Sequence, residues 1–352
     1  TFWPYDMAVF YPFSDQLPSW QIFGSILLII VISVAVISMW KSFPYLFVGW
    51  LWYAIILLPV LGILRPAIHS MHDNYTYLPS IGIAIVMAWG MPLLFQNASM
   101  RKKIIFPTAT AMLAVFVLIA WQQCGDWKNS ITLFSHALRV TKNNWLMHSN
   151  YANSLLERGN NQEALYHYNE AIRIFPYYAD ALNNRGNVYV QMGQYEKALE
   201  DFNQSIDNYA NAINKKDNAS FSIGPSEHAI SVHIKPLLAG AYNNRGIAYF
   251  NLGDYLNAIQ DFNISIRLKD DNFKAYYNRG RSFSKINKFQ NAIGDYDKSI
   301  SLQPKNSEAY ISRGVIHFKI SNDGNGCYDA RKACELGNCK LLRKAKDSQA
   351  CP

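Results

Sequence analysis

Between Arg65 and Gly82 the chain gathers a cation, two imidazoles, a carboxylate and two phenols in RPAIHSMHDNYTYLPSIG. Arg65, His69 and His72 are donors that suit the oxyanion of a phosphate, because charge-assisted hydrogen bonds exceed neutral ones in strength. Asp73 and Tyr75 suit bracing of the loop beside a phosphate or sugar head group. The residues alone leave a second reading open, a plain polar loop with Tyr75 and Tyr77 in an aromatic belt at a membrane boundary. No Gly-rich phosphate loop and no HExxH occurs, so neither a nucleotide nor a metal site is expected.

Four cysteines lie at the end of the chain, Cys327, Cys334, Cys339 and Cys351, with Cys124 elsewhere. Their spacing does not match the paired CxxC of a zinc site. A disulfide-stapled cap has three possible pairings. If the last helix ends at Gly337 and the chain turns back, Cys334 faces Cys339 and Cys327 approaches Cys351. Cys327 with Cys334 is disfavoured, since two helical turns separate them by about 10 Å. Four reduced thiols are the alternative.

The elements that must position these groups divide at about residue 125. The first 125 positions hold only five of the 33 Lys and Arg and three of the 25 Asp and Glu. No formal charge occurs from Asp15 to Lys41, Lys41 to Arg65, Asp73 to Arg101, or Lys103 to Asp126, apart from the bounding residues. A membrane helix needs about 20 apolar residues. The pattern therefore predicts four spans, at about 20–40, 45–64, 78–95 and 104–121, with Trp20, Trp40 and Trp121 at interfaces. Lys41 and the Arg101, Lys102, Lys103 cluster place their loops on the cytoplasmic side, and the 65–77 loop and everything after Trp121 outside it. Arg65 is the one cation against this orientation. Thr1 is not an initiator Met, so the chain is expected to be the carboxy-terminal part of something longer. No block of basic residues with interleaved aromatics supports nucleic-acid binding, despite the net charge of +8.

A 34-residue register governs the rest. Gly186, Gly246, Gly280 and Gly314 each follow an Arg, Ala198, Ala258, Ala292 and Gly326 lie 12 further on, and Phe202, Phe262, Tyr296 and Ala330 lie 16 further on. Ala152, Ala164, Tyr168 and Ala171 place another repeat earlier. This resembles the tetratricopeptide repeat, in which a small residue on helix A lets an aromatic of helix B approach. Five repeats are expected over 147–336, with an insertion at about 210–238. A half repeat over 126–146 joins the last span, and a cysteine-containing cap occupies 337–352. Arg185, Arg245, Arg279 and Arg313 recur 16 residues before Asp201, Asp261, Asp295 and Asp329, which predicts exposed ion pairs between helices A and B. Asn183, Asn187, Asn243, Asn251, Tyr277, Arg281 and Lys285 are expected on the groove wall, facing a protein partner.

The order of the pieces resembles the transmembrane and tetratricopeptide-repeat O-mannosyltransferases and their bacterial relatives. AVFYPF, VGWLWYAIILLPVLGIL, DNYTYLPSIG and WKNSITLFSHAL carry the likeness. Asp73, Tyr75, Tyr77, Leu78, Pro79, Ile81 and Gly82 match that family's loop, while Asn74 stands where an Arg is usual. The resemblance implies a GT-C enzyme that uses a polyprenyl-phosphate-linked sugar, with its catalytic acid upstream of Thr1 and no catalytic residue in this chain. GCYDARKACELGNC resembles the ends of Bacteroidetes repeat proteins.

The expected protein is therefore all-α, a four-helix transmembrane segment followed by a tetratricopeptide α-solenoid. It would sit in a bacterial inner membrane with its repeats in the periplasm, touching membrane lipid and an acceptor or partner protein. The alternative function is a non-catalytic membrane-anchored scaffold.

Overall fold

The computed structural model describes residues 19–57, 77–94, 99, 103–104, 106–214 and 233–351, and the regular elements within them are helical. The chain forms two compact units, Thr1–Phe175 and Pro176–Pro352.

The first unit contains α1 (Ser19–Ser38), α2 (Pro44–Leu57), α3 (Tyr77–Leu94), α4 (Phe106–Asp126), α5 (Ser130–Val140), α6 (Trp145–Glu157) and α7 (Asn161–Ile174). Helices α1 and α4 carry apolar residues around their circumference and leave them open, with Trp20 72% and Trp121 82% exposed. Apolar surface of that extent calls for lipid or protein cover. Among the described residues, Pro107–Asp126 is long and apolar enough to cross a bilayer. The apolar stretches Phe23–Ser38 and Pro44–Ile56 are shorter, and the expected continuation of the second span to Leu64 lies outside the described residues.

Helices α2 and α3 approach closely at a pair of glycines. A Cβ built on Gly49 would strike the Gly82 carbonyl oxygen, and one on Gly82 would strike that of Gly49. Small residues permit such close backbone approach, the usual device where water does not drive helix association. Trp50 Nε1 donates to Ser33 Oγ at 3.1 Å and ties α2 to α1.

Residues 127–129 separate α4 from α5. Asn129 caps α5 in a reciprocal box with Thr132, which satisfies two otherwise orphaned groups. Asp126 lies 3.3 Å from His136 Nδ1 and 3.7 Å from Arg139. Ala137 and Met147 then form a core between α5 and α6, together with Phe134 and Leu138.

The second unit is a run of hairpins: α8 (Ala179–Gln191) with α9 (Tyr195–Asn214), α10 (Lys235–Leu252) with α11 (Tyr255–Leu268), α12 (Phe273–Lys285) with α13 (Phe289–Leu302), and α14 (Ser307–Lys319) with α15 (Asp323–Glu335). A short α16 (Lys340–Asp347) closes it. The registered glycines act by absence. A Cβ on Gly186 or Gly246 would lie 2.7 Å from the ring of Phe202 or Phe262, and one on Gly280 would lie 2.9 Å from that of Tyr296. In the last hairpin Ala330 replaces the aromatic; Leu341 of α16 fills the space beside Gly314, and Phe318 covers Gly326. The turn between helices A and B needs one left-handed residue, supplied by Gly193 (φ 73°), Gly253 (φ 84°), Asn287 (φ 59°) and Ser321 (φ 57°). Helix α9 has 20 residues where α11 and α13 have 14. Its extra turns begin at Tyr209, which joins Ile206, Ile213 and Leu238 of α10 in one cluster and donates a hydrogen bond to Asp180. Of the insertion, 215–232 lies outside the described residues.

Candidate functional site

Arg65, His69, His72, Asp73 and Tyr75, the candidate carrier-phosphate residues, lie outside the described residues. What is described is the frame on either side of them. Helices α2 and α3 precede and follow the loop in the chain and meet at Gly49 and Gly82, and Gly82 closes the DNYTYLPSIG run.

The A helices of the second unit form a continuous wall, joined by side-chain amides. Asn278 Nδ2 donates to Asn243 Oδ1 at 3.1 Å, Asn243 Nδ2 to Asn244 Oδ1 at 3.3 Å, and Asn244 Nδ2 to Asn183 Oδ1 at 3.1 Å. Asn183 and Asn243 are thus occupied in holding α8, α10 and α12 together. Asn187 is half-buried, while Asn251 and Lys285 are exposed. Arg281 lies on the ring of Phe250, 4.4 Å from its centroid, and within 5.8 Å of Tyr277. The Tyr277 hydroxyl and Ser312 Oγ are 3.4 Å apart, which links α12 to α14. Of the expected groove residues, Asn251 and Lys285 stay exposed and Asn187 and Arg281 partly so, and Lys319, one A helix further on, is exposed and lies over Phe289 at 5.7 Å.

On the opposite side the four Arg–Asp pairs are bidentate. Arg245 Nε and Nη2 bond Asp261 at 2.8 and 2.7 Å, and the other three pairs repeat this geometry. They are not exposed as expected: the Asp side chains keep only 1–8% of their accessible surface. The close approach of helices A and B at the registered glycines covers the carboxylates, whether an aromatic of helix B or, in the last hairpin, Leu341 of α16 fills the space beside the glycine. Burial pushes the Asp201, Asp261 and Asp295 carboxyls upward, against the downward pull of the bonded guanidiniums. The remaining Arg nitrogen links to the previous hairpin: Nη1 of Arg245 donates to Asn203 at 2.8 Å, Nη1 of Arg279 to Asn263 at 2.6 Å, and Nη1 of Arg313 to Asp297. The polar residue two positions after each Asp, in DFN, DFN and DYD, is the signal that sequence reasoning passed over. A buried serine was passed over likewise. Ser205, Ser265 and Ser299 donate to the backbone carbonyls of Ala179, Ala239 and Phe273.

In the first unit Tyr151 and His167 occupy the register of the Arg and the Asp. His167 Nδ1 meets His148 Nδ1 at 2.9 Å, so one imidazole donates and the other accepts. Burial and the neighbouring His167 hold His148 down at about 4, and burial lowers His167 as well. At the far end Cys327 is joined to Cys351 and Cys334 to Cys339, while Cys124 is free and exposed. Among the described residues no three His, Cys, Asp or Glu side chains are grouped to hold a metal ion.

An all-helical array with this register and these gaps is a tetratricopeptide-repeat structure. Models described as tetratricopeptide repeat match residues 144–211, 239–272 and 273–306. The chain is similar to protein O-mannosyl-transferase TMTC1 of Mus musculus, 31% identical over 125 residues, which is 35% of this chain and 13% of that protein. It is also similar to protein O-mannosyl-transferase Tmtc3 of Drosophila melanogaster, 24% identical over 155 residues, 44% of this chain and 17% of that protein. The matched stretch thus spans less than a fifth of these relatives' length. Among solved structures, YrrB, a TPR protein with an unusual peptide-binding site, aligns at 18% identity with a TM-score of 0.43, over 61% of this chain and 97% of that one.

Proposed function

We propose that this chain serves a membrane-embedded glycosyltransferase of the O-mannosyl-transferase type, with its helical hairpins binding the acceptor protein and its apolar helices spanning the membrane. The similarity to TMTC1, at 31% identity over 125 residues, is the observation that carries this reading. The open apolar surfaces of α1 and α4 and the glycine-clamped α2–α3 pair support the membrane part. In this reading the loop holding Arg65, His69 and His72 neutralises the phosphate of a polyprenyl-phosphate-linked sugar, while Asp73 and Tyr75 brace it. The anomeric carbon exchanges its bond to the carrier oxygen for one to the acceptor's hydroxyl oxygen, the hydroxyl proton passes to the catalytic carboxylate, and the phosphate departs with the bonding electrons. The repeats lie on the extracytoplasmic side, and the catalytic acid is not among the residues of this chain.

Sugar transfer from a polyprenyl-phosphate donor, measured in membranes containing the intact enzyme, tests the proposal. Arg65→Ala and Asp73→Ala should each lower transfer while thermal melting of the repeats stays unchanged. A photo-cross-linking residue at Asn251 should capture the acceptor. Undiminished transfer in both variants would reduce the loop to an aromatic-belt connection and favour the non-catalytic scaffold.

A further inference from the structure

Where α16 folds back on the last hairpin, it closes a notch against the end of the A-helix wall. The notch has a volume of about 520 Å³, within the range of sites that hold a side chain with flanking backbone. Its floor is Val315, Phe318 and Leu341; its rim carries Lys319, Lys344 and a single acid, Asp323. Val315 keeps 38% of its surface although it is aliphatic, and both lysines are exposed. Neither lysine has a carboxylate within ion-pair distance among the described residues. Positive charge continues along the wall at Arg281 and Lys285, in the register of Val315 and Lys319, and α16 adds Lys340 one turn before Lys344, with Asp347 the one acid of that helix.

The cap is built to keep this notch open and fixed. A helix of eight residues has no stability of its own in water. α16 is held because Leu341 fills the space beside Gly314, Cys334–Cys339 pins its start, and Cys327–Cys351 pins the segment after it. That returning segment contributes Ser348 and Ala350 to the notch.

We propose that this notch is a subsite for an acidic peptide segment, its apolar floor taking one large side chain and Lys319 and Lys344 pairing with flanking carboxylates. The inference rests on the reading of the A-helix wall as a protein-binding surface, and adds to it which peptides that wall accepts. The excess of unpaired cations over one acid carries the choice of charge, since complementary fields set specificity and encounter rate.

The test uses the full chain in nonionic detergent and fluorescein-labelled peptides, read by anisotropy. One peptide alternates Asp with a central Leu, a second replaces each Asp with Asn, and a third replaces the Leu with Gly. The first should bind most tightly, lose affinity as salt is raised, and weaken about tenfold or more with Lys319→Glu plus Lys344→Glu, exposed changes that leave melting unaltered. Breaking Cys327–Cys351 with Cys351→Ser should weaken it as well. Equal binding of the Asp and Asn peptides, or no effect of the charge reversal, would overturn the subsite. So would displacement of every peptide alike by anionic lipid doped into the micelle, which would reassign the notch to a head group. Retained acceptor cross-linking at Asn251 with no acidic preference would defeat this inference alone; loss of both would defeat the protein-binding reading too.

Discussion

Each recurrent Arg does two jobs that a Lys cannot. Its planar fork bonds both oxygens of the Asp on its own hairpin, and in Arg245, Arg279 and Arg313 the third nitrogen reaches the hairpin before. Asp261→Ala should therefore cost about 3–5 kcal/mol, the range for stranding one partner of a buried pair. Arg279→Lys should cost less but should also loosen the contact to Asn263. Denaturant melts of the two variants check this, and a loss below about 1 kcal/mol for Asp261→Ala would mean the pair is effectively solvated. The His148–His167 pair gives a pH signature with a definite sign. His148 titrates at about 4 in the fold against 6.5 when free. Between those values the unfolded chain binds the proton more readily, so stability is complete above about 6.5 and falls as pH drops toward 4. The groups that face the pair are Glu163, Glu170 and Arg173 on α7, with Tyr151 on α6. Hydrogen-exchange protection of α6 and α7, expressed relative to the intrinsic exchange rate at each pH, should fall as pH drops across that window, and this fall should disappear when both histidines are Phe.

At the level of elements, the hairpins are set by what their glycines omit. Gly246→Ala forces a methyl into the ring of Phe262 and should destabilise by about 1–3 kcal/mol. Adding Phe262→Leu should recover part of that loss. Gly240 lies in the same helix with nothing within 4 Å of its virtual Cβ, so Gly240→Ala should be neutral or stabilising by up to about 1 kcal/mol. Thermal melts of the three variants separate close packing from helix propensity, and equal effects at Gly246 and Gly240 would refute the gap-filling account. The positions of these glycines were legible in the 34-residue spacing, because repeated backbone geometry demands the same small residue each time. The exposure of the ion pairs was misread, because spacing fixes which helices the partners occupy and not how tightly those helices close.

For the whole molecule, the distribution of Lys and Arg predicts sidedness. In the proposed topology the Arg101, Lys102 and Lys103 cluster belongs on the cytoplasmic side, so reporter fusions after Asn97 and after Pro304 should report opposite sides of the membrane. The same side for both would exclude an odd number of crossings between them. Mild reduction should release α16 first, leaving the hairpins before it intact, because the two disulfides flank that helix alone.

Read by itself, the sequence determined the apolar half, the repeat register, the Arg and Asp partnership and the all-helical class, since each is a matter of composition or period along one chain. Tertiary structure decided what depends on how closely helices approach. Asn183 and Asn243, expected to face a partner, are bonded across helices, and Leu341 of the cap stands in for the aromatic that Ala330 does not supply. The cationic notch between α14 and α16 exists only because the chain turns back on itself. No local pattern encodes it, for its walls come from residues some thirty positions apart that meet through packing.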